Sequence, residues 1–460
     1  MSLVVGSPLR RTAFVLVETG LLLLVLAASV MLVSGREALV GDRLFPLKAA
    51  LLIGALQLAL YYSELYDDRA LRSRIAFLVQ LGKALVATTL AVSLLYFLAP
   101  PIRLDRGPLF LFLLLSALTV VVWHSLHVWL AGRDSLRENV LVLGTGHTAR
   151  KIAVEMEERA PLGYRVVGFL SDHPAEVNRQ VDPTILGTMD DLLAMVEQHR
   201  VHLIVVGLDD RRGSMPVREL LQCRLAGIRV EEGASFFERL TGKILVSNLR
   251  PSWLVFSGGF SNPKTIRNLK RAVELVLAAA LLVLLAPLLL AVAVAVKLDS
   301  RGPAIYRQRR IGERGVPFDL LKFRTMASDA EKTTGPVWAS PDDDPRVTRV
   351  GRILRNTRLD ELPQLMNVLR GEMSFVGPRP ERPFFVERLG QVIPYYNERH
   401  NVKPGITGWA QVRFGYASTI EDAENKLQFD LYYIKNMSLL FDLTVILQTL
   451  KVMVLGKGAR

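Results

Sequence analysis

The chain is 460 residues long, 50% of them hydrophobic, with a formal net charge of +13. That length allows two or three domains, and so apolar a composition points to a membrane protein with soluble parts. The cationic excess calls for anionic partners. Basic residues flank apolar segments and no nucleic-acid-binding motif is present, so lipid headgroups and phosphorylated substrates are favoured and nucleic acid is set aside. The single cysteine, Cys223, rules out an internal disulfide framework and a cysteine zinc site, and reads as a buried reduced thiol.

Four apolar segments open the chain, at about 12–34, 44–62, 75–98 and 109–130. Each approaches the roughly 20 residues that a bilayer-spanning helix needs. The first is too long an apolar run for a signal peptide, and three more follow it. The charges of the connecting loops are only weakly biased: Arg69, Arg72 and Arg74 face Arg36, Arg43, Arg103 and Arg106 across the segments. The basic C-terminal region decides the orientation instead, with both termini cytoplasmic. The expected architecture is membrane α plus α/β. Residues 1–135 form four transmembrane helices, 136–250 a Rossmann-like parallel-sheet module, 251–263 a linker, and 264–460 a mainly helical domain entered by a membrane helix.

From Asn139 onward strands and helices alternate. The strands are 139–146, 164–172, 202–210 and 228–232; the helices are 147–159, 189–199 and 216–227. Such repeats predict a parallel sheet covered by helices. Gly144-Thr-Gly146-His-Thr-Ala149 follows the first strand as a G-x-G-x-x-A turn, and Asp172 ends the second strand where a ribose-binding acid belongs. Two readings stay open: a nucleotide site, or a scaffold that keeps the tight turns and binds nothing.

Residues 272–296 form a further apolar run with Pro287 inside it. Arg267, Lys270 and Arg271 precede it; Lys297, Arg301, Arg307, Arg309 and Arg310 follow. Both ends carry the cytoplasmic signature, which one crossing does not satisfy. A re-entrant helix over about 268–297, broken at Pro287, does satisfy it, because proline removes an N–H and clashes with the preceding turn. A kinked spanning helix is the alternative.

The densest chemistry lies at 343–382. Asp360-Glu361 is preceded by Arg346, Arg349, Arg352, Arg355 and Arg358 and followed by Arg379 and Arg382. A carboxylate pair ringed by guanidinium groups suits chemistry on a diphosphate. Pro363 places a helix start near Asp360 or Glu361, and Gly371 marks its end. The same residues also read as a plain N-cap and dipole complement. An arginine every third residue leaves only neighbours on one face, so Arg355 and Arg358, nearest the pair, are the phosphate candidates. Arg379 is fixed between two prolines, and Lys322 and Arg324 are further cations. No His/Cys cluster suggests a transition metal, whereas Mg2+ would suit one or two carboxylates plus phosphate.

Four ordered blocks make the chain resemble the bacterial sugar transferase family of polyprenol-phosphate sugar-1-phosphate transferases. They are KFRTM (322–326), DPRVTRVGRILRNTRLDELPQLMNVLRGEMSFVGPRPER (344–382), RHNVKPGITGWAQV (399–412) and FDLYYIKNMSLLFDL (429–443). The resemblance implies that Asp360 is a nucleophile taking sugar phosphate from a nucleoside-diphosphate sugar, UDP-glucose or UDP-galactose among the candidates. Undecaprenyl phosphate at the bacterial inner membrane would then accept it, in the first membrane step of exopolysaccharide, capsule or O-antigen synthesis. Glu361 is implied as a metal ligand or proton handler, with Asp430 and Asp442 as family acidic positions. It also implies the re-entrant helix, although Ala286 stands where many relatives carry serine before the proline. Arg413 departs from the usual spacing and takes no role. The apolar pattern at 437–455 suggests an interfacial helix beside Lys435, Lys451, Lys457 and Arg460. A homo-oligomer is compatible with all of this.

Two other classes are weighed. A nucleotide-sugar dehydratase or epimerase usually needs Tyr-x-x-x-Lys, which is absent here. A non-enzymatic membrane scaffold with a nucleotide-sensing module leaves the Asp-Glu and arginine constellation without a purpose.

Overall fold

Four long apolar helices begin the molecule: α1 (Pro8–Ser34), α2 (Phe45–Tyr62), α3 (Arg74–Leu98) and α4 (Arg106–Ala131). The computed structural model describes residues 8–63, 65–66, 74–131, 138–158, 164–172, 184–209, 215–246, 259–260, 264–326, 346–414 and 419–455. Arg69, Arg72, Lys457, Arg460, most of the 251–263 linker and residues 343–345 lie outside these. The four helices stand where the hydropathy pattern places them. Leu22, Leu26, Leu56, Leu81 and Phe112 are buried between them, while Leu24, Leu90, Phe97 and Phe110 face outward exposed. A bundle with leucines on both faces suits an apolar surrounding. Five helices of the described residues are long and apolar enough to cross a membrane, these four and one farther on.

The α/β module follows. Its strands are β1 (Glu138–Leu143), β2 (Tyr164–Ser171), β3 (Ile185–Thr188), β4 (Leu203–Val206) and β5 (Arg229–Glu232). Between them run α5 (His147–Glu158), α6 (Leu192–Gln198) and α7 (Val217–Leu225). All pairs are parallel and the order is β3-β2-β1-β4-β5, the doubly wound arrangement. β3 is an addition to the four expected strands; four residues, Ile-Leu-Gly-Thr, are too few for an alternation to register. Cys223 is buried under this sheet and unpaired.

The chain divides into two compact units, Met1–Phe236 and Phe237–Arg460, within helix α8 (Gly233–Thr241). The second unit thus starts earlier than the expected boundary at 264. The reason is packing. Ile244 and Val246 are buried in its main core, Ile244 N–H donates to Gln428 O at 3.0 Å, and Glu238 meets Lys435 at 2.6 Å. Trp409 Nε1 donates to Gly242 O at 2.9 Å. A truncation beginning at residue 262 is therefore expected to melt well below one beginning at 233. Each lost apolar side chain of this size removes roughly 1.5–3 kcal/mol. Thermal scans of the two proteins in one detergent check this, and equal midpoints would contradict the assignment.

The second unit is built on α9 (Lys264–Asp299), 36 residues or roughly 54 Å of helix. Helical structure continues through Pro287, so the break expected there is not seen. Both halves of α9 pack against the strand at 317–323, in two separate apolar clusters. Ala278 meets Phe318 and Val368; Val292 and Val296 meet Phe323 and Leu354. Val283 and Leu284, between them, are exposed.

The expected mainly helical domain also holds strands. β6 (Ile305–Ile311) and β7 (Pro317–Phe323) form an antiparallel hairpin, and β8 (Ser374–Val376) pairs in parallel with β9 (Gly405–Thr407). The helices are α10 (Arg349–Thr357), α11 (Gln364–Arg370), α12 (Pro383–Val392), α13 (Trp409–Arg413), α14 (Ile420–Lys435) and α15 (Leu439–Leu455).

Candidate active site

Asp360 and Glu361 share one tight turn, Leu359–Glu361, between α10 and α11. α10 stops where Arg358 takes a left-handed conformation, φ 56° and ψ 19°. For a residue with a side chain this costs about 1 kcal/mol or more and marks a place where the surroundings dictate the backbone. Pro363 caps α11 at a position whose N–H has no helical partner to lose, and Gly371, φ 83°, ends it. The dyad thus precedes the helix, and Asp360 makes no capping hydrogen bond, so the plain N-cap reading does not hold.

The two carboxylates have different surroundings. Glu361 Oε1 accepts from Lys322 Nζ at 2.7 Å and from Arg379 at 3.3 Å, with its side chain 12% exposed. Burial alone would raise its pKa, but Lys322, Arg379 and Arg358 outweigh that and hold its carboxyl well below the usual range. Asp360 makes no hydrogen bond or ion pair with any described residue. Burial pushes its pKa up and Glu361 adds to this, against the pull of Lys322, Arg355 and Arg379. One carboxylate is spoken for, and its neighbour is a more basic, uncommitted oxygen in a cationic field.

Three elements bring the cations here. Lys322 lies on β7, which the fully buried Asn367 of α11 clamps in place. Its Oδ1 accepts from Leu321 N at 3.0 Å and its Nδ2 donates to Asp319 O at 2.8 Å. Arg379 sits on a loop whose four carbonyls are all held. Pro378 O accepts from Gly405 N, Arg379 O from Arg399, Pro380 O from Arg310, and Glu381 O from Ile311 N, at 2.9–3.0 Å. Arg355, at the end of α10, donates through Nε to Thr325 Oγ1 at 3.0 Å. Arg310, Lys322, Glu361, Gln364 and Arg379 line one small pocket. Gly405 has no room for a side chain, since a Cβ would meet Gly377 N at 2.1 Å.

Other candidates lie elsewhere in the second unit. Arg324 is 6% exposed and donates to the carbonyls of Pro303, Val296 and Ser300 at 2.6–3.2 Å; it closes the end of α9 instead of facing the pocket. Asp430 is buried against Arg399 at 2.8 Å and so acts on the Arg379 loop only at one remove. Asp442 accepts from Lys270 Nζ at 2.6 Å and from Tyr433 at 2.7 Å, an internal pair with α9. Two cations of the basic flank of α9 are thus engaged inside the protein, Lys270 with Asp442 and Arg271 with Val368 O and Leu369 O at 2.6 and 2.9 Å. Arg382 starts α12 and lies within electrostatic reach of Arg310. Arg413 stacks over Trp409 at 4.5 Å.

Sequence reasoning missed Arg310, Asn367 and Arg399. Arg310 passed as membrane-flanking charge; reading IYRQRRI as a strand would have put it on a face with Gln308. Burial of that guanidinium lowers its pKa to about 10.

Two unlike carboxylates beside Lys322, Arg355 and Arg379, in a chain with helices long and apolar enough to cross a membrane, suit a membrane protein that acts on phosphate. The profile of the family described as "Bacterial sugar transferase" matches residues 265–456, and that of a "CoA-binding domain" matches 62–222. A UDP-N-acetylgalactosamine-undecaprenyl-phosphate N-acetylgalactosaminephosphotransferase of Aeromonas hydrophila is 41% identical over 55% of this chain and 58% of its own. UDP-glucose:undecaprenyl-phosphate glucose-1-phosphate transferases of Escherichia coli (strain K12) and Xanthomonas campestris pv. campestris are each 35% identical. They cover 70% and 75% of this chain and 68% and 72% of their own. The chain therefore spans about three-fifths to seven-tenths of these relatives' lengths. It belongs to the bacterial sugar transferase family.

Proposed function

We propose that the protein transfers a sugar-1-phosphate from a nucleoside-diphosphate sugar to undecaprenyl phosphate, with Asp360 as nucleophile. The observation that carries this is the split dyad: a paired Glu361 beside an unpaired, more basic Asp360 within the field of Lys322, Arg355 and Arg379. An Asp360 oxygen attacks the sugar-bearing phosphorus. The bond to the bridging oxygen breaks, and the nucleoside monophosphate leaves with the electron pair. A phosphate oxygen of the lipid then attacks the same phosphorus and the aspartyl–phosphorus bond breaks, which restores the carboxylate. Lys322, Arg355 and Arg379 neutralise the phosphate oxygens throughout. The sugar is a uridine-linked hexose or N-acetylhexosamine, on the substrates that the relatives' names carry.

The residues fit Mg2+, which takes oxygen ligands from one or two carboxylates and substrate phosphates. Asp360 is the open carboxylate, whereas Glu361 has one oxygen engaged by Lys322 and Arg379. No group of three or more His, Cys, Asp or Glu gathers among the described residues, so the ion would depend on substrate oxygens. When bound, it would withdraw charge from the diphosphate.

Incubating detergent-solubilised protein with radiolabelled UDP-sugars and undecaprenyl phosphate tests the reading. Label in the organic phase supports it. An altered nucleotide sugar would point to a dehydratase or epimerase, and neither outcome to a scaffold.

The four N-terminal helices cross the bacterial inner membrane, and α9, kinked at Pro287 while staying helical on both sides, dips into the cytoplasmic leaflet and returns, keeping the site at the headgroup plane. The support is that both halves of α9 pack against β7, in two clusters, while Val283 and Leu284 between them stay exposed. Cysteines at the exposed Arg267 and Arg301, in a Cys223→Ser background, are expected to resist an impermeant thiol reagent in intact cells and to react after permeabilisation. Labelling of one end alone from outside would mean a spanning helix.

A further inference from the structure

The CoA-binding profile over 62–222 and the doubly wound sheet imply a nucleotide site at one place: the crevice beyond the carboxyl ends of β1 and β4, where strand order reverses. The turn after β1 has the required shape. Gly144 adopts φ +100°, and α5 begins at His147 with its first N–H groups aimed at the crevice mouth. In a nucleotide-binding relative of this fold, a diphosphate would accept those hydrogen bonds.

Here a carboxylate of the chain itself accepts them. Asp209 follows β4 directly across the crevice. Its Oδ2 accepts from His147 N at 2.9 Å, and its Oδ1 accepts from Thr148 Oγ1 at 2.6 Å and Thr148 N at 3.4 Å. The fit is close: a Cβ placed on Gly146 would lie 2.1 Å from Asp209 Oδ2. The second glycine of the fingerprint, whose bareness elsewhere lets a pyrophosphate approach, is used here to admit an aspartate. A diphosphate entering this place would meet a negative charge already seated on the amides of His147 and Thr148.

We infer that Asp209 is a built-in anion that fills the phosphate cradle of the α/β module, so that the module keeps the dinucleotide-binding fold and does not bind CoA or a dinucleotide through the Gly144–Ala149 turn. The fold family's cofactor does not fit the residues present. The site is independent of the transferase chemistry.

Hydrogen exchange on the full-length detergent-solubilised protein tests this. Saturating CoA or NAD should leave exchange at residues 144–150 unchanged; slowed exchange there overturns the inference. In Asp209→Ala the amides of His147 and Thr148 should exchange roughly fivefold faster, the scale of a lost helix cap. Inorganic sulfate at constant ionic strength should restore their protection in the variant and have no effect on the unsubstituted protein. Unchanged exchange in Asp209→Ala, or equal sulfate protection in both proteins, also overturns it. Asp209→Asn keeps one acceptor oxygen without the charge and should fall between the two, which guards against a variant that fails to fold.

Discussion

Asp360→Asn is expected to lower sugar-phosphate transfer by on the order of 10⁴-fold or more and to abolish any covalent phosphosugar adduct, because an amide is a poor nucleophile. The same change should leave the fold intact or slightly firmer. Burial raises the pKa of Asp360, so its ionised form is disfavoured in the native state relative to the unfolded chain. The sign follows from linkage. A group whose folded pKa is raised contributes stability below its unfolded value, near 3.9, and loses it as pH rises through the folded value. At neutral pH that contribution is gone, and asparagine removes the charge at no electrostatic loss. Transfer assays, mass spectrometry of the protein after donor exposure, and thermal scans check both halves. Near-normal turnover, or retained adduct, would remove Asp360 from the nucleophile role.

Glu361→Gln should act differently, with transfer reduced about 10²–10³-fold and the protein weakened as well. Glu361 holds Lys322 at 2.7 Å and Arg379 at 3.3 Å, and it keeps the two cations at one spacing in the pocket. An amide leaves both cations close together without a counter-charge. Arg379 is 35% exposed and Lys322 21%, so water softens the loss to about 1–3 kcal/mol. The pH dependence has the opposite sign to that of Asp360. A depressed carboxylate contributes stability above its unfolded value, near 4.3, and loses it as pH falls through the folded value. The unsubstituted protein should therefore lose stability progressively below about pH 4.3, and Glu361→Gln should show a shallower decline in that window. Identical acid profiles would mean that the Lys322 and Arg379 contacts contribute nothing. Opposite signs of the stability change in two adjacent residues also separate a chemical loss from simple unfolding.

These effects rest on contacts far apart in the chain, which is where sequence reasoning lost its grip. Lys322 and Arg324 stand two residues apart in KFRTM and look equivalent as phosphate ligands. Strand β7 ends between them, at Phe323: Lys322 reaches Glu361, and Arg324, past the strand's end, turns to the carbonyl end of α9. Asp430 and Asp442 stood as acidic positions that the family resemblance implies; both are buried, where a charge is costly. The cost is offset by Arg399 and Lys270, which lie 31 and 172 residues away.

The sequence by itself determined what depends on composition and period: the four apolar helices, the alternation that makes a parallel sheet, and the Asp360-Glu361 pair bracketed by Arg355, Arg358 and Arg379. Those are local properties, set by hydropathy over a helix length, by turn residues such as Gly144 and Gly371, and by residue type. Only the tertiary structure decided which cation meets which carboxylate, that residues 237–246 belong with the second unit, and that Asp209 occupies the turn after β1. Each of these joins segments distant in the chain. Pairing energies of charges vary steeply with separation and burial, and neither quantity is written in the order of residues.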